Sequence, residues 1–336
     1  MPVRLKDIAQ DLGVSVVTVS KVLRGNTDIS EATRQRVLTR MKELNYQPNM
    51  LARGLASGKT FTAGLIVPDL VHPYFAEFAK SLGAVLRKDN RALLLTSSEE
   101  DPKLEREEIR TLLNRGVDVL LIASCQPNPR SFQELSSTST PYLLFDRNFP
   151  KLSAHFIGSD DIQVGTLATK HLIDIGRRRI AHIGGMAFSP AFDRLLGYRN
   201  TLAEHGISVP ENFVLAHDHM DQAGDLVGYN AMHELLKLNP RPDAVFCYND
   251  LMAVGAIEAT IQAGLSVPDD IAIIGCGNLR YASYLRVPLS SVDHGTAELG
   301  RIAGELALQL SAHPRQEPQT QLLPSTLVAR ASTVGT

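Results

Sequence analysis

The chain has 336 residues, with 34 Lys and Arg against 36 Asp and Glu, 44% hydrophobic residues and three cysteines. No apolar run approaches the roughly 18–20 residues of a membrane span. The polar start, with Arg4, Lys6 and Asp7, lacks the apolar core of a signal peptide. Cys125, Cys247 and Cys276 are far apart and form no CxxC pair. They read as free thiols in a reducing cytosol, and neither a metal site nor a cofactor is expected.

The near-neutral total conceals an asymmetry. Residues 1–60 carry ten basic and five acidic side chains, a charge of +5, whereas residues 61–336 carry −7. A basic segment is the electrostatic footprint of phosphate binding, and an acidic remainder discourages non-specific adhesion.

The first elements in chain order are two short helices meeting at Gly13. Ile8, Ala9 and Leu12 share one face at helical spacing. Gly13 ends the first helix, and Ser15 suits the cap of the second. Val14, Val19, Val22 and Leu23 supply the buried side of that second helix. Val16, Val17, Thr18, Ser20 and Lys21 face outward. Outward valines suit thymine methyls in a major groove, which makes the pair a candidate helix-turn-helix. Ser30 caps a third helix from about Glu31 to Leu44, with Val37, Leu38, Met41 and Leu44 as its inner stripe and Asn45 ending it left-handed. A short helix-like piece, Asn49 to Ala56, follows Pro48.

Beyond residue 60, apolar runs alternate with helical patterns. The runs are Ala63–Val67, Ala92–Thr96, Val117–Ala123, Tyr142–Phe145, Ile180–Ile183, Val245–Tyr248 and Ile271–Gly275. Helical stretches include Phe75–Arg87, Leu104–Asn114, Gly165–Ile175, Arg194–Glu204, Gly228–Leu238 and Met252–Ala263. Continuous apolar strands separated by helices predict parallel sheets covered on both faces, in two sets of βα units. Ligands of such folds bind outside the carboxyl ends of the strands. There the chain places aromatic, guanidinium, amide and carboxylate groups, which suit a polyhydroxylated ligand.

The pieces Lys6-Asp7-Ile8-Ala9, Gly13-Val14-Ser15, Thr18 to Leu23, Asn45 to Asn49 and Ala52-Arg53-Gly54-Leu55 closely resemble the lactose-repressor (LacI/GalR) family of bacterial transcription regulators. The likeness extends over essentially the whole chain. It implies an α/β protein with an all-α helix-turn-helix domain at residues 1–47 and a hinge helix and linker at 48–60. The two-lobed, periplasmic-binding-protein-like sensor would span 61–336. Lobe 1 is expected at about 61–160 and 291–320, and lobe 2 at about 161–290 and 321–330. The resemblance gives base contact to Val16, Val17, Lys21 and the wedge Leu55, with a plain linker residue as the alternative for Leu55. It gives backbone contact to Ser15, Thr18, Ser20, Thr33, Arg34 and Asn49. With valines at two reading positions, Lys21 is the polar base reader, suited to guanine O6 and N7. Effector contact falls to Tyr74, Phe75, Arg147, Arg194, Asp250 and His294. Structural alternatives are a helix cap for Asp250, a lobe-bridging salt bridge for Arg194 and a satisfied buried histidine for His294. Where many relatives carry an acidic residue, this chain has Gly277, so ligand contacts at that turn are lost or moved.

The expected function is therefore that of a repressor controlled by a carbohydrate-like effector. Its partners would be a pseudo-palindromic double-stranded operator and a second copy of the chain, without a membrane, in the cytoplasm on the nucleoid. The six residues after Arg330 hold no leucine heptad, which favours a dimer. Phe78, Leu82 and Val85, and Leu251 to Ile257, read equally as core or interface. The rival reading is a soluble sugar-binding receptor without DNA function. An enzyme is not expected: there is no nucleophile elbow, no P-loop and no third glycine after Gly275-x-Gly277.

Overall fold

Gly13 supplies the left-handed turn, φ 64°, that lets α1 (Leu5–Leu12) stop and α2 (Val16–Leu23) begin at an angle. Ser15 Oγ caps α2 by accepting from Thr18 N–H at 3.0 Å. Ser30 caps α3 (Glu31–Glu43) by accepting from Thr33 N–H at 3.4 Å. Ile8, Ala9, Val19, Val22, Val37 and Met41 bury together as the head's core. Arg40 of α3 clamps Asp11 of α1 at 2.6 Å, and Arg36 donates to Leu12 O at 3.0 Å. Leu38 departs from the expected stripe: it is exposed on α3, because Val37 and Met41 already fill the side facing α1 and α2.

The computed structural model describes residues 3–23, 26–46, 54, 58–216 and 224–335, and the chain divides into two units, Met1–Thr60 and Phe61–Thr336. The expected hinge helix, with Asn49 and Leu55, lies outside the described residues.

In the second unit the elements run β1 (Thr62–Val67), α4 (Pro73–Lys88), β2 (Ala92–Ser97), α5 (Pro102–Asn114), β3 (Val119–Ile122), α6 (Gln133–Ser136), β4 (Tyr142–Phe145) and β5 (His155–Ser159). There follow α7 (Asp161–Asp174), β6 (Ile180–Ile183), α8 (Ser189–Glu204), β7 (Val214–Leu215), α9 (Gly224–Leu236), β8 (Ala244–Cys247), α10 (Asp250–Gln262), β9 (Ala272–Cys276) and β10 (Ser290–Asp293). The chain ends with α11 (Thr296–Ala312), β11 (Thr320–Leu323), β12 (Thr326–Val328) and α12 (Ala331–Val334). One sheet has the order β2-β1-β3-β4-β5-β11, all parallel. The other has the order β7-β6-β8-β9-β10-β12, with only β12 antiparallel. Each sheet is covered on both faces, which is why its inner strands β1, β3, β4, β8 and β9 are almost wholly apolar and buried.

The chain therefore crosses between lobes after β5, after β10 and after β11. This moves the expected lobe limits. β10 pairs with β9 (Ser290↔Ile274) and belongs to the second lobe, not to a first-lobe segment starting at 291. β11 pairs with β5 (Thr320↔Phe156) and belongs to the first lobe, not the second. In both cases the crossing follows the strand instead of preceding it.

Phe78 and Leu82 resolve as core: both are fully buried, and Phe78 stacks on Phe145 at 4.1 Å. Burying each such side chain contributes about 1.5–3 kcal/mol. In the second lobe, Gly165 and Gly197 let α7 and α8 meet backbone to backbone. A Cβ on Gly165 would stand 2.1 Å from Arg194 O, and one on Gly197 would stand 2.2 Å from Ile162 O. That close crossing seats Arg194 against the start of α7.

Candidate functional site

The head presents one candidate interface. Val16 and Val17 are 44% and 60% exposed on the outer side of α2, an arrangement that costs apolar solvation unless a partner covers it. Lys21, in the last turn of α2, ion-pairs with Asp28 in the turn before α3. Several residues expected at the DNA backbone are engaged locally. Ser15 Oγ lies 2.9 Å from Thr18 Oγ1, Thr33 sits in the Ser30 cap, and Arg34 donates to Asn26 O and approaches Glu31 at 3.6 Å. Ser20 is half-buried on α2.

The second candidate site is a cleft between the two sheets of the second unit, where strands from both lobes end. His72 caps α4, its Nδ1 accepting from Tyr74 N–H at 3.3 Å, so Tyr74 and Phe75 enter the cleft wall on the first helical turn. Both rings are buried, 5.1 Å apart and edge to face. After β4 the chain makes a left-handed turn at Asp146, φ 62°, which a non-glycine residue adopts at a cost of about 1 kcal/mol. This turn places Asp146 and Arg147 side by side. Arg147 forms a two-pronged pair with Glu100, donates to Ser124 O at 3.3 Å and lies 3.8 Å over the Phe188 ring of the other lobe.

The second lobe supplies the opposite wall. Arg194 donates to Asp161 at 2.8 Å and to Tyr248 O at 2.8 Å, with its guanidinium 4.6 Å over the Tyr248 ring. Its salt bridge stays within this lobe and does not bridge the lobes. Asn249, not Asp250, caps α10 by accepting from Met252 N–H at 2.9 Å. Asp250 instead accepts from Leu279 N–H at 2.7 Å and from Ser291 Oγ–H at 2.6 Å. His294 lies 5.3 Å from the Tyr74 ring, with Nδ1 3.6 Å from Cys276 Sγ, and its buried Nε2 has no hydrogen-bond partner among the described residues. A Cβ on Gly277 would stand in ordinary contact, 3.8 Å from that Nε2 and 3.9 Å from Asp250 Oδ2, so these two polar atoms flank the glycine, whose φ of 124° other residues rarely adopt.

Two further approaches cross the cleft. Asn148 N–H donates to Ser189 Oγ at 2.8 Å, and His72 Nε2 lies 3.4 Å from Asn249 Nδ2. All six residues expected to contact effector are buried at carboxyl ends of strands or in the turns and helices that follow them. Asp146, Glu100, Asp161 and Tyr248 join them. Asp146 follows a strand directly, a position open to sequence reasoning. Glu100 sits in an acidic run after β2 that reads as solvated loop.

Burial dominates the electrostatics. It pushes Asp146 up to about 6, with Arg147 opposing and Asp161 reinforcing the shift. Burial likewise raises Asp250 to about 6 against its two hydrogen bonds. Burial lowers His294 to about 3, with Arg194 adding to the effect, and raises Cys276 to about 12. At neutral pH the imidazole and thiol are thus neutral, while the two arginines are charged and paired with carboxylates. Among the described residues, no group of three or more His, Cys, Asp or Glu could hold a metal ion, and no helix is long and apolar enough to cross a membrane.

The comparisons with known proteins agree with this division. The family model for bacterial regulatory proteins of the lacI family matches residues 4–49, and that for a periplasmic binding protein-like domain matches residues 169–333. A ribose operon repressor from Haemophilus influenzae is 36% identical over 98% of this chain and 98% of its own. A solved lac repressor dimer bound to operator and the anti-inducer ONPF is 25% identical with a TM-score of 0.85, over 99% of each chain. A LacI family transcriptional regulator from Enterococcus faecium with bound ribose is 26% identical with a TM-score of 0.72, over 82% of this chain and 99% of the other.

Proposed function

The chain belongs to the lacI family of bacterial regulatory proteins, and from that premise we propose that it is a homodimeric operator-binding repressor gated by a sugar held between its lobes. It is a DNA-binding transcriptional regulator and not an enzyme. Its place of work is the cytoplasm, on the nucleoid, where operator DNA lies.

On the DNA side, Val16 and Val17 contact thymine methyls in the major groove and Lys21 donates to a guanine edge. Ser15, Thr18, Ser20, Thr33, Arg34 and Asn49 hold phosphates and set register. Leu55 wedges into the minor groove, its unstacking cost offset by the better-wrapped, bent duplex. Two copies match the two-fold symmetry of a pseudo-palindrome. Exposed Leu70, Val71 and Leu95 in the first lobe and Leu226 and Tyr284 in the second support pairing of copies.

On the sensor side, one observation carries the reading. The cleft sets guanidinium and carboxyl groups (Arg147, Arg194, Asp146, Asp250) among the rings of Tyr74, Phe75, Phe188 and Tyr248. Ring faces take sugar C–H faces, and the charged groups take vicinal hydroxyls. In the tautomer in which the Cys276 thiol donates to Nδ1, the hydrogen of neutral His294 sits on Nε2. That N–H and Asp250 Oδ2 then serve one ligand hydroxyl in the space beside Gly277. A relative named a ribose operon repressor and a related structure with bound ribose favour D-ribose as the first effector to test.

Differential scanning of the full chain against D-ribose, other neutral sugars, sugar phosphates and purines tests the sensor. Ligand bound at 100 times its Kd stabilises by about 2.7 kcal/mol, a clear rise in Tm. A rise with a neutral sugar is expected. A rise confined to purines or to phosphorylated compounds contradicts the reading.

A further inference from the structure

The acidic residues of the head divide by what they do. Asp7 accepts from Arg4 N–H at 2.8 Å at the start of α1. Asp11 and Glu43 both hold Arg40, at 2.6 and 3.0 Å. Glu31 sits in the first turn of α3, where a carboxylate favours the helix dipole, and meets Arg34 and Gln35. Asp28 differs: its carboxylate reaches back across seven residues to the ammonium of Lys21 on the outward helix. The turn that carries it is tied down on both sides. Asn26 N–H donates to Lys21 O at 3.1 Å, Arg34 donates to Asn26 O, and Ser30 caps α3 two residues on. The Lys21 and Asp28 side chains remain 35% and 53% exposed, so both face solvent while paired.

A carboxylate there is costly if the surface only binds phosphate, because it cancels one of the charges that drive DNA association. We propose that Asp28 is a specificity-determining residue of the DNA-reading face, positioning Lys21 toward base edges and keeping its ammonium off the phosphate backbone. This rests on the reading of Lys21 as a base contact. An ammonium has three N–H donors and a free choice of direction. Pairing with Asp28 takes one donor and fixes the direction, leaving the others for acceptors such as guanine O6 and N7. On random sequence no base acceptor is in place. Lys21 would then have to give up its pair with Asp28 to reach a phosphate, with that carboxylate remaining beside the polyanion. The pair thus weakens non-specific binding more than operator binding, which is specificity gained through repulsion.

The test uses the full-length chain and an operator enriched from a random duplex pool by the wild-type protein. Affinities for that operator and for random duplex are measured across salt for wild type, Lys21→Ala, Asp28→Asn and the double variant. Asp28→Asn is expected to raise random-duplex affinity about tenfold and to steepen its salt slope by about one charge, with operator affinity unchanged or lower. In the Lys21→Ala background, Asp28→Asn should shift both affinities by one common factor. Asp28→Glu, which keeps the carboxylate, should restore most of the specificity ratio, and thermal melting checks that each variant folds. An Asp28→Asn variant that strengthens both duplexes equally, or that behaves identically with and without Lys21, overturns the proposal. A Lys21→Ala variant with an unchanged specificity ratio removes Lys21 as a base reader and the proposal with it. A lower ratio for Lys21→Ala combined with an unaltered ratio for Asp28→Asn defeats the Asp28 role alone.

Discussion

The head and the sensor solve recognition in opposite ways. In the head the described candidate contacts are exposed or half-buried, and their internal partners are local: Ser15 with Thr18 three residues apart, Lys21 with Asp28 seven apart. In the sensor the candidate contacts are buried and their partners are remote. Arg147 meets Glu100 over 47 residues, Arg194 meets Tyr248 O over 54, and Asp250 meets Ser291 over 41. A surface that meets a long polymer can be organised by one short helix and its caps. A site that encloses a small molecule needs polar groups held without water, so each is anchored by a distant element. Mutations should therefore uncouple binding from folding in the head and leave the two entangled in the sensor.

The largest expected effect is at Arg194. Replacement by alanine strands Asp161 and Tyr248 O in a site where Arg194 is only 3% exposed. Removing one partner of such a buried pair costs about 3–5 kcal/mol. Denaturant titration should show that loss even without ligand, and ligand response should vanish with it. Full stability in the variant would break the contrast.

Asp146 gives an effect of opposite sign. Burial raises its carboxyl from 3.8 to about 6, so ionising it opposes folding. That cost is absent below about pH 4, grows as pH rises and is complete above about pH 6. Asp146→Asn should stabilise the unliganded chain at pH 7 by about 1–3 kcal/mol, with the gain disappearing near pH 4. Sugar binding should weaken in the same variant. Melting curves across pH read the first and ligand titration the second.

At the small end stands Val17→Ala. An exposed valine contributes within about 0.5 kcal/mol to stability. Operator affinity should still drop severalfold, read by anisotropy, while melting stays constant. A Tm change as large as the affinity change would sharpen the comparison the other way, making Val17 part of the head's fold.

The same contrast governs what was legible in the amino-acid order. Gly13, Ser15, Val19 and Val22 announce the head because their roles depend on neighbours within a turn. Alternating apolar runs announce the parallel sheets because burial on both faces leaves few polar positions. The crossings between lobes were displaced by a few residues, since β10 (Ser-Ser-Val-Asp) and β11 (Thr-Gln-Leu-Leu) are short and half polar. Sheet membership there is decided by pairing with β9 and β5, which no local pattern encodes. The cleft residues Tyr74, Arg147, Asp250 and His294 were readable as strand-end positions, whereas Glu100 and Asp161 were not. Their identity as anchors follows from tertiary contact with Arg147 and Arg194. Leu38 was misplaced because helical periodicity admits a broader stripe than Val37 and Met41 fill.

The central claim is that one chain couples an exposed DNA reader to an enclosed sugar site. It is tested most directly by measuring operator affinity with and without saturating D-ribose, and D-ribose affinity with and without operator. The account predicts a change of about 5- to 150-fold in the first and the same factor in the second, because coupling between sites is reciprocal. Sugar binding that leaves operator affinity unchanged would contradict it and would favour a sugar receptor without a DNA switch.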